Sequence, residues 1–152
     1  MNTKIFVMTH KKIETISNQI YIPLQVGSEG KEDYGYIRDN TGDNISAKNS
    51  NYCELTGIYW LWKNMDCDIV GVCHYRRFFT SEERLLSREE IEKQIEKTPI
   101  IVPNSRYVGG EDAYLQYAEK HNEKDIQICR EVIREKYPEY IEAFDYVMHT
   151  ML

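Results

Sequence analysis

Long apolar runs are missing from this 152-residue chain. Nothing in it approaches the roughly 20 consecutive apolar residues that a bilayer-spanning helix needs. The opening M-N-T-K-I-F-V-M-T-H also lacks the apolar core of a secretory signal. Cysteine is sparse: Cys53, Cys67, Cys73 and Cys129 form no C-x-x-C pair and no zinc-like spacing. Free thiols in a reducing cytoplasm are the expectation. Positive charge is short as well. With Lys and Arg at 19 against 25 Asp and Glu, the net charge is -6, and its long-range field opposes a nucleic-acid backbone. A general nucleic-acid binder is thereby disfavoured, although a small basic pocket is not. Internal repeats and low-complexity tracts are absent too, which leaves an ordinary globular composition and enough chain for one core. A single domain over residues 1–152 is expected.

Tyrosine, by contrast, is abundant, with 12 residues. Rings of this kind can line sugar or base sites, and they also fill half-wet core positions.

The densest chemistry lies in D-I-V-G-V-C-H-Y-R-R-F-F, from Asp68 to Phe79. Ile69 to Cys73 reads as a short strand buried on both faces, the habit of central strands in parallel sheets. His74, Tyr75, Arg76 and Arg77 follow at its carboxyl end, where open α/β sheets bind ligands. Two guanidinium groups, an imidazole and a phenol suit an anion, with phosphate or diphosphate the first expectation. On a regular strand Arg76 and Arg77 would face opposite ways. They converge only if the chain turns after His74; otherwise one or both serve as ion-paired rim residues. His74 can bond a phosphate or sugar hydroxyl, carry a proton, or act as a plain structural hydrogen-bonder.

Elsewhere the pattern alternates. Lys4 to Met8 reads as a strand ending in Thr9, His10 and Lys11; Ile20 to Val26 reads as a second, interrupted by Pro23. Gly27 to Asp43 reads as a long loop, and long ordered loops are often functional. Within R-D-N-T-G-D-N-I-S, the group Asp39, Asn40, Asp43 and Asn44 can bind ribose hydroxyls, a base edge or a hard cation. The same residue types build Asx turns and helix caps with no ligand. Ser46 to Asn64 reads as one amphipathic helix whose stripe is Tyr52, Leu55, Tyr59 and Trp62, widened by Ile58 and Leu61. Glu54 falls off that stripe. Ser87 and Glu90 spell a capping box, with Leu86 and Ile91 placed for a hydrophobic staple. Pro99 to Pro103 reads as a buried strand, Ser105 to Gly110 as a loop, and Glu111 to Thr150 as helix broken at Tyr137-Pro138. The sum is an α/β fold with a mostly parallel sheet flanked by helices. Asp66-Cys67-Asp68 spells D-x-D, but it precedes its strand, at the amino end, and reads as a polar turn.

Five segments together resemble one bacterial family: T-H-K from Thr9, P-L-Q-V-G from Pro23, D-N-T-G-D-N-I-S-x-K-N from Asp39, Y-C-E-L-T-G-x-Y-W-x-W-K-N from Tyr52, and D-I-V-G-x-x-H-Y-R-R-F-F. That family is DUF4422, found in capsular and exopolysaccharide gene clusters and regarded as glycosyltransferases of GT-A-like type. The resemblance implies a Rossmann-like nucleotide-diphospho-sugar transferase fold and hexosyl transfer from a nucleotide sugar, with UDP the implied nucleotide. The implied acceptor is a lipid-linked or growing glycan, at a cytoplasmic site beside membrane-bound polysaccharide machinery. Family members run longer, so the chain is expected to be a shortened member that lacks the C-terminal part of the domain. A non-catalytic nucleotide- or glycan-binding module is the alternative. By the same resemblance His74, Arg76 and Arg77 are the catalytic candidates, and Thr9, His10, Asp39, Asn40, Asp43, Asn44 and Tyr75 the donor-binding ones. No D-x-D stands at the expected strand end, so dependence on Mn²⁺ or Mg²⁺ stays open and no catalytic base is named.

Overall fold

The computed structural model describes residues 1–14, 16, 18–104 and 112–150. They fall into two compact units, Met1–Val102 and Pro103–Leu152. The loop expected over Ser105 to Gly110, and Glu111 after it, lie outside the described residues.

The first unit is a parallel sheet between helices. β1 (Thr3–Thr9), β2 (Tyr21–Gln25), β3 (Ile37–Arg38) and β4 (Ile69–His74) lie in the order β3-β2-β1-β4, every pairing parallel. β1 is central, and its alternate residues enter two cores. Ile5 and Val7 join Tyr21, Ile69, Leu86 and Ile91 on one face; Phe6 and Met8 join Leu24, Val26, Trp60 and Leu61 on the other. Burial on both faces explains why the strand reads as an unbroken apolar run. Pro23 fits inside β2 because it shares the parity of Gln25, whose carbonyl accepts from the Asp39 N–H on the β3 side. There β3 pairs only with Leu24 and Gln25, so the missing N–H costs no ladder bond.

The expected single helix over residues 46–64 is instead broken. A 3₁₀ turn at Ser46–Lys48 leads into α1 (Asn49–Tyr52), and after a reversal at Cys53 α2 (Leu55–Asn64) begins. Cys53 has φ 47°, ψ -130°, a conformation that L-residues seldom adopt. The break resets the helical phase. The buried residues of α2 are Thr56, Gly57, Trp60 and Leu61, whereas Leu55, Ile58 and Trp62 of the expected stripe are exposed at 55%, 42% and 71%. Packing is tight at Gly57, where an added Cβ would meet Met8 Sδ at 2.6 Å and Val26 Cγ1 at 2.7 Å.

On the opposite face lies α3 (Arg88–Ile95), started by the expected capping box. The Glu90 N–H donates to Ser87 Oγ (3.3 Å), and the Ser87 N–H donates to Glu90 Oε2 (2.8 Å). Leu86 and Ile91 are both buried, as the staple requires. Just before it, β5 (Thr80–Ser81) and β6 (Arg84–Leu85) form an antiparallel hairpin. Arg84 grips Glu90 with two hydrogen bonds of 2.8 and 2.6 Å. The strand expected from Pro99 to Pro103 does not pair with any described strand. Its side chains alternate outward and inward: Ile100 and Val102 are 74% and 72% exposed, while Ile101 packs on the core. Prolines at both ends remove two ladder donors, which leaves an extended segment without a partner.

The second unit is helical, as expected. It contains α4 (Ala113–Lys120), α5 (Glu123–Lys136), a 3₁₀ turn at Pro138–Tyr140 and α6 (Ile141–Met148). Asp112 and Asn122 cap the first two by accepting backbone N–H groups. A bidentate Arg130–Asp145 pair, at 2.7 and 2.6 Å, ties α5 to α6.

Candidate functional site

β1 and β4 run in parallel register with Met8 opposite His74, so their carboxyl ends emerge side by side. There the chain after β4 turns. The Arg77 N–H donates to the His74 carbonyl at 2.8 Å, which cancels strand alternation and lets both arginines face one way. The result is a cavity of about 380 Å³ lined by Met8, Glu54, Val72, Cys73, His74, Arg76 and Arg77. Both guanidinium side chains belong to exposed residues, and among the described residues neither forms an ion pair with a carboxylate. A second cavity of about 550 Å³ adjoins it in sequence, lined by Lys11, Lys12, Ile13, Glu14, Ile16, Tyr75, Phe78 and Leu85.

Tyr75 organises the rim. Its ring lies 4.1 Å from that of His74 and 5.5 Å, edge-on, from that of His10. Lys11 Nζ and the Arg76 guanidinium approach its face at 4.9 and 5.3 Å, within cation–π range. His10, His74, Tyr75, Arg76 and Arg77 are therefore brought together.

His74 has a fixed tautomer. Its Nδ1 accepts the Arg76 backbone N–H at 3.2 Å, which places the ring proton on Nε2. That atom faces Glu54 Oε1 at 3.6 Å. Burial, and next the neighbouring Arg76, hold the imidazole below its ordinary pKa, so it is neutral near neutral pH. Burial pushes the Cys73 thiol up to about 12; it stays protonated and is no nucleophile.

The Asp/Asn constellation is split. Asp39 is fully buried and accepts five hydrogen bonds. The Gly27 and Ser28 N–H groups donate at 2.8 and 3.0 Å, and the hydroxyls of Ser28, Ser46 and Thr56 donate at 2.9, 2.5 and 2.6 Å. Burial alone would raise its pKa, but the bonds from Ser46, Thr56, Ser28 and Gly27 outweigh it and hold the carboxylate ionised. With its oxygens so engaged, the expected contact of Asp39 with ribose is replaced by a role inside the fold. Asp43 accepts from Tyr59 Oη at 3.0 Å and exchanges bonds with Asn64, at the far end of α2. Asn44 closes a turn, donating to the Gly42 carbonyl and accepting the Ser46 N–H. Asn40 lies in the turn between them. Thr9 is buried and spends its hydroxyl on the Lys11 carbonyl at 2.7 Å. None of Thr9, Asp39, Asn40, Asp43 and Asn44 lines either cavity. Asn and Asp here follow their turn-forming chemistry, the ligand-free alternative.

Glu54 is the residue that sequence reasoning underrated. A helix running unbroken from Ser46 would carry it off the buried stripe; the kink at Cys53 redirects it toward His74. That kink is fixed from inside. The Cys53 carbonyl accepts from Asn49 Nδ2 at 2.7 Å, the same amide donates to Thr56 Oγ1 at 3.0 Å, and the Thr56 hydroxyl spends its one proton on Asp39 at 2.6 Å. Gly27 completes the knot, since a Cβ there would strike Asn49 at 2.4 Å.

The D-x-D spelling sits before β4, as expected. The Asn2 N–H donates to Asp68 Oδ2 at 2.7 Å, and Asn2 Nδ2 donates to the Asp66 carbonyl. Among the described residues, no group of three or more His, Cys, Asp or Glu side chains is arranged to hold a metal ion. The donor set at the cavity, one carboxylate and one imidazole, does not fit the oxygen-rich shell of Mg²⁺.

No curated protein matches the chain. Among solved structures, the WbbM bifunctional glycosyltransferase in its apo form is similar, with 30% sequence identity and a TM-score of 0.86. The match covers 99% of this chain and 32% of that one, so the chain spans about a third of that protein's length. The family model described as "Domain of unknown function (DUF4422)" matches residues 4–151, and the chain belongs to that family.

Proposed function

We propose that the paired cavities at the ends of β1 and β4 bind a nucleotide sugar, a UDP-sugar in the first instance. On this reading the chain transfers the sugar to a glycan acceptor in capsular or exopolysaccharide synthesis, as a GT-A-like transferase. One observation carries the proposal: two guanidinium groups free of carboxylates, among the described residues, line a single cavity beyond the strand ends. A departing nucleoside diphosphate gathers negative charge, and fixed cations stabilise it in the transition state. Arg76 and Arg77 take that role, while Tyr75, His10 and Lys11 offer a stacking and cationic rim for the nucleoside. Thr9 and Asp39 act at one remove, by shaping the turns behind the site. The similarity to WbbM supports the transferase class.

Titration with UDP tests the reading. Wild type should bind, and Arg76→Ala and Arg77→Ala should each weaken binding while the protein stays folded. In turnover, losing one such donor should cost about 10²–10³-fold, or ~2.7–4 kcal/mol in the barrier. Unchanged UDP affinity in both variants would contradict the assignment. The limited share of WbbM that is matched favours a second reading, a module that holds nucleotide without transferring sugar. Binding without donor hydrolysis or transfer would select it.

A further inference from the structure

We infer that Glu54 is the general base of the transfer, taking the proton from the acceptor hydroxyl; this rests on the glycosyl-transfer reading above. Glu54 is the one carboxylate among the residues lining the arginine cavity, and its side chain is half exposed, at 49%, so an incoming hydroxyl can reach it. His74, the other candidate in the cavity, has its one basic lone pair engaged. Nδ1 accepts the Arg76 N–H and Nε2 carries the proton toward Glu54 at 3.6 Å. An imidazole in that tautomer has no free lone pair for a substrate proton.

The backbone supports the assignment independently. Strained φ/ψ values persist where the surroundings over-determine them, and they gather at functional sites. Cys53, immediately before Glu54, has φ 47°. Its carbonyl takes a side-chain hydrogen bond from Asn49, whose amide also donates to Thr56, and Thr56 is anchored on the buried Asp39. The strain sets the direction of one residue, and that residue is the acid facing the cavity.

The step balances as follows. Glu54 accepts the hydroxyl proton as the acceptor oxygen's electron pair forms the new bond to the anomeric carbon. The bond from that carbon to the diphosphate oxygen breaks, and its electron pair leaves with the nucleoside diphosphate beside Arg76 and Arg77. One displacement of this kind inverts the anomeric centre.

The experiment compares wild type, Glu54→Gln and Glu54→Asp, using UDP for binding and UDP-glucose and UDP-galactose as donors for hydrolysis and transfer. Circular dichroism verifies the fold of each variant. Glu54→Gln should keep UDP binding while turnover falls about 10²-fold or more, and Glu54→Asp should retain an intermediate rate because it keeps an acid, withdrawn by one methylene. Product from wild type should be inverted at the anomeric carbon. Equal turnover by wild type and Glu54→Gln, or retention of configuration, overturns the base assignment and leaves the nucleotide site standing. A wild type that binds UDP but turns over neither donor overturns it in favour of the binding module. Failure of wild type to bind UDP overturns the nucleotide reading itself, and this inference with it.

Discussion

Asp39 shows how much a single side chain can organise. Its carboxylate accepts five hydrogen bonds from Gly27, Ser28, Ser46 and Thr56, joining the end of β2, the long loop and α2. Replacing it by Asn substitutes an NH₂ donor for one acceptor oxygen and opposes donor to donor. Each buried group left unmatched costs about 1–3 kcal/mol. Asp39→Asn should therefore lower the free energy of unfolding extrapolated from urea titration by an amount in that range, and an unchanged value would show that the network is dispensable. At the arginines the decisive fact is local too. The turn closed by the Arg77 N–H on the His74 carbonyl is what allows neighbouring residues to share one cavity, an outcome that strand alternation alone forbids.

At the scale of elements, legibility followed the strength of local signals. β1, β2 and β4 were readable as strands because they are short apolar runs with polar ends, although β4 is an edge strand with Val70 46% exposed rather than the central strand buried on both faces that its run suggests; α3 was readable because Ser87 and Glu90 form a capping box. The break at Cys53 was not readable, since nothing in N-Y-C-E-L-T marks a residue with positive φ. It depends on Asn49 reaching both that carbonyl and Thr56, and on Asp39 behind them. The phase of α2 failed for the same reason, and Glu54 was underrated with it. The Asp and Asn residues of the long loop read two ways because turn-forming and ligand-binding chemistry use the same side chains; what was not legible is that Asp39 is buried and spends its oxygens on the fold.

Two predictions belong to these elements. In Gly57→Ala the gain in helix propensity is worth up to about 1 kcal/mol, and the overpacking against Met8 and Val26 costs about 1–3 kcal/mol. The overpacking wins, and thermal unfolding should shift downward; an upward shift would mean that α2 moves off the sheet freely. For α3, the hydrogen bonds from Arg84, and then from the Ser87 backbone, hold Glu90 at about 2, below its ordinary 4.5. A depressed acid stabilises the fold above the unfolded value and loses that contribution as pH falls through the folded one. The stability difference between wild type and Glu90→Gln should thus be constant above pH 4.5 and shrink toward pH 2. A difference independent of pH over that window would contradict the contact.

For the whole molecule, the cavities and every residue of the candidate site lie within the first compact unit, Met1–Val102. Its two cores flank a sheet whose central strand is buried on both faces, and the site lies beyond the carboxyl ends of that strand and its neighbour β4. The acidic total of -6 hides a local surplus of cations at Lys11, Lys12, Arg76 and Arg77, and it is the local field that selects a ligand.

The central claim is that a nucleoside diphosphate settles against Arg76 and Arg77 beyond the ends of β1 and β4. A crystal structure of the chain with UDP measures this directly. The diphosphate oxygens should lie about 2.7–2.9 Å from guanidinium nitrogens of both arginines, with Tyr75 at the rim. UDP bound elsewhere, or those guanidinium groups turned away onto carboxylates, would contradict it.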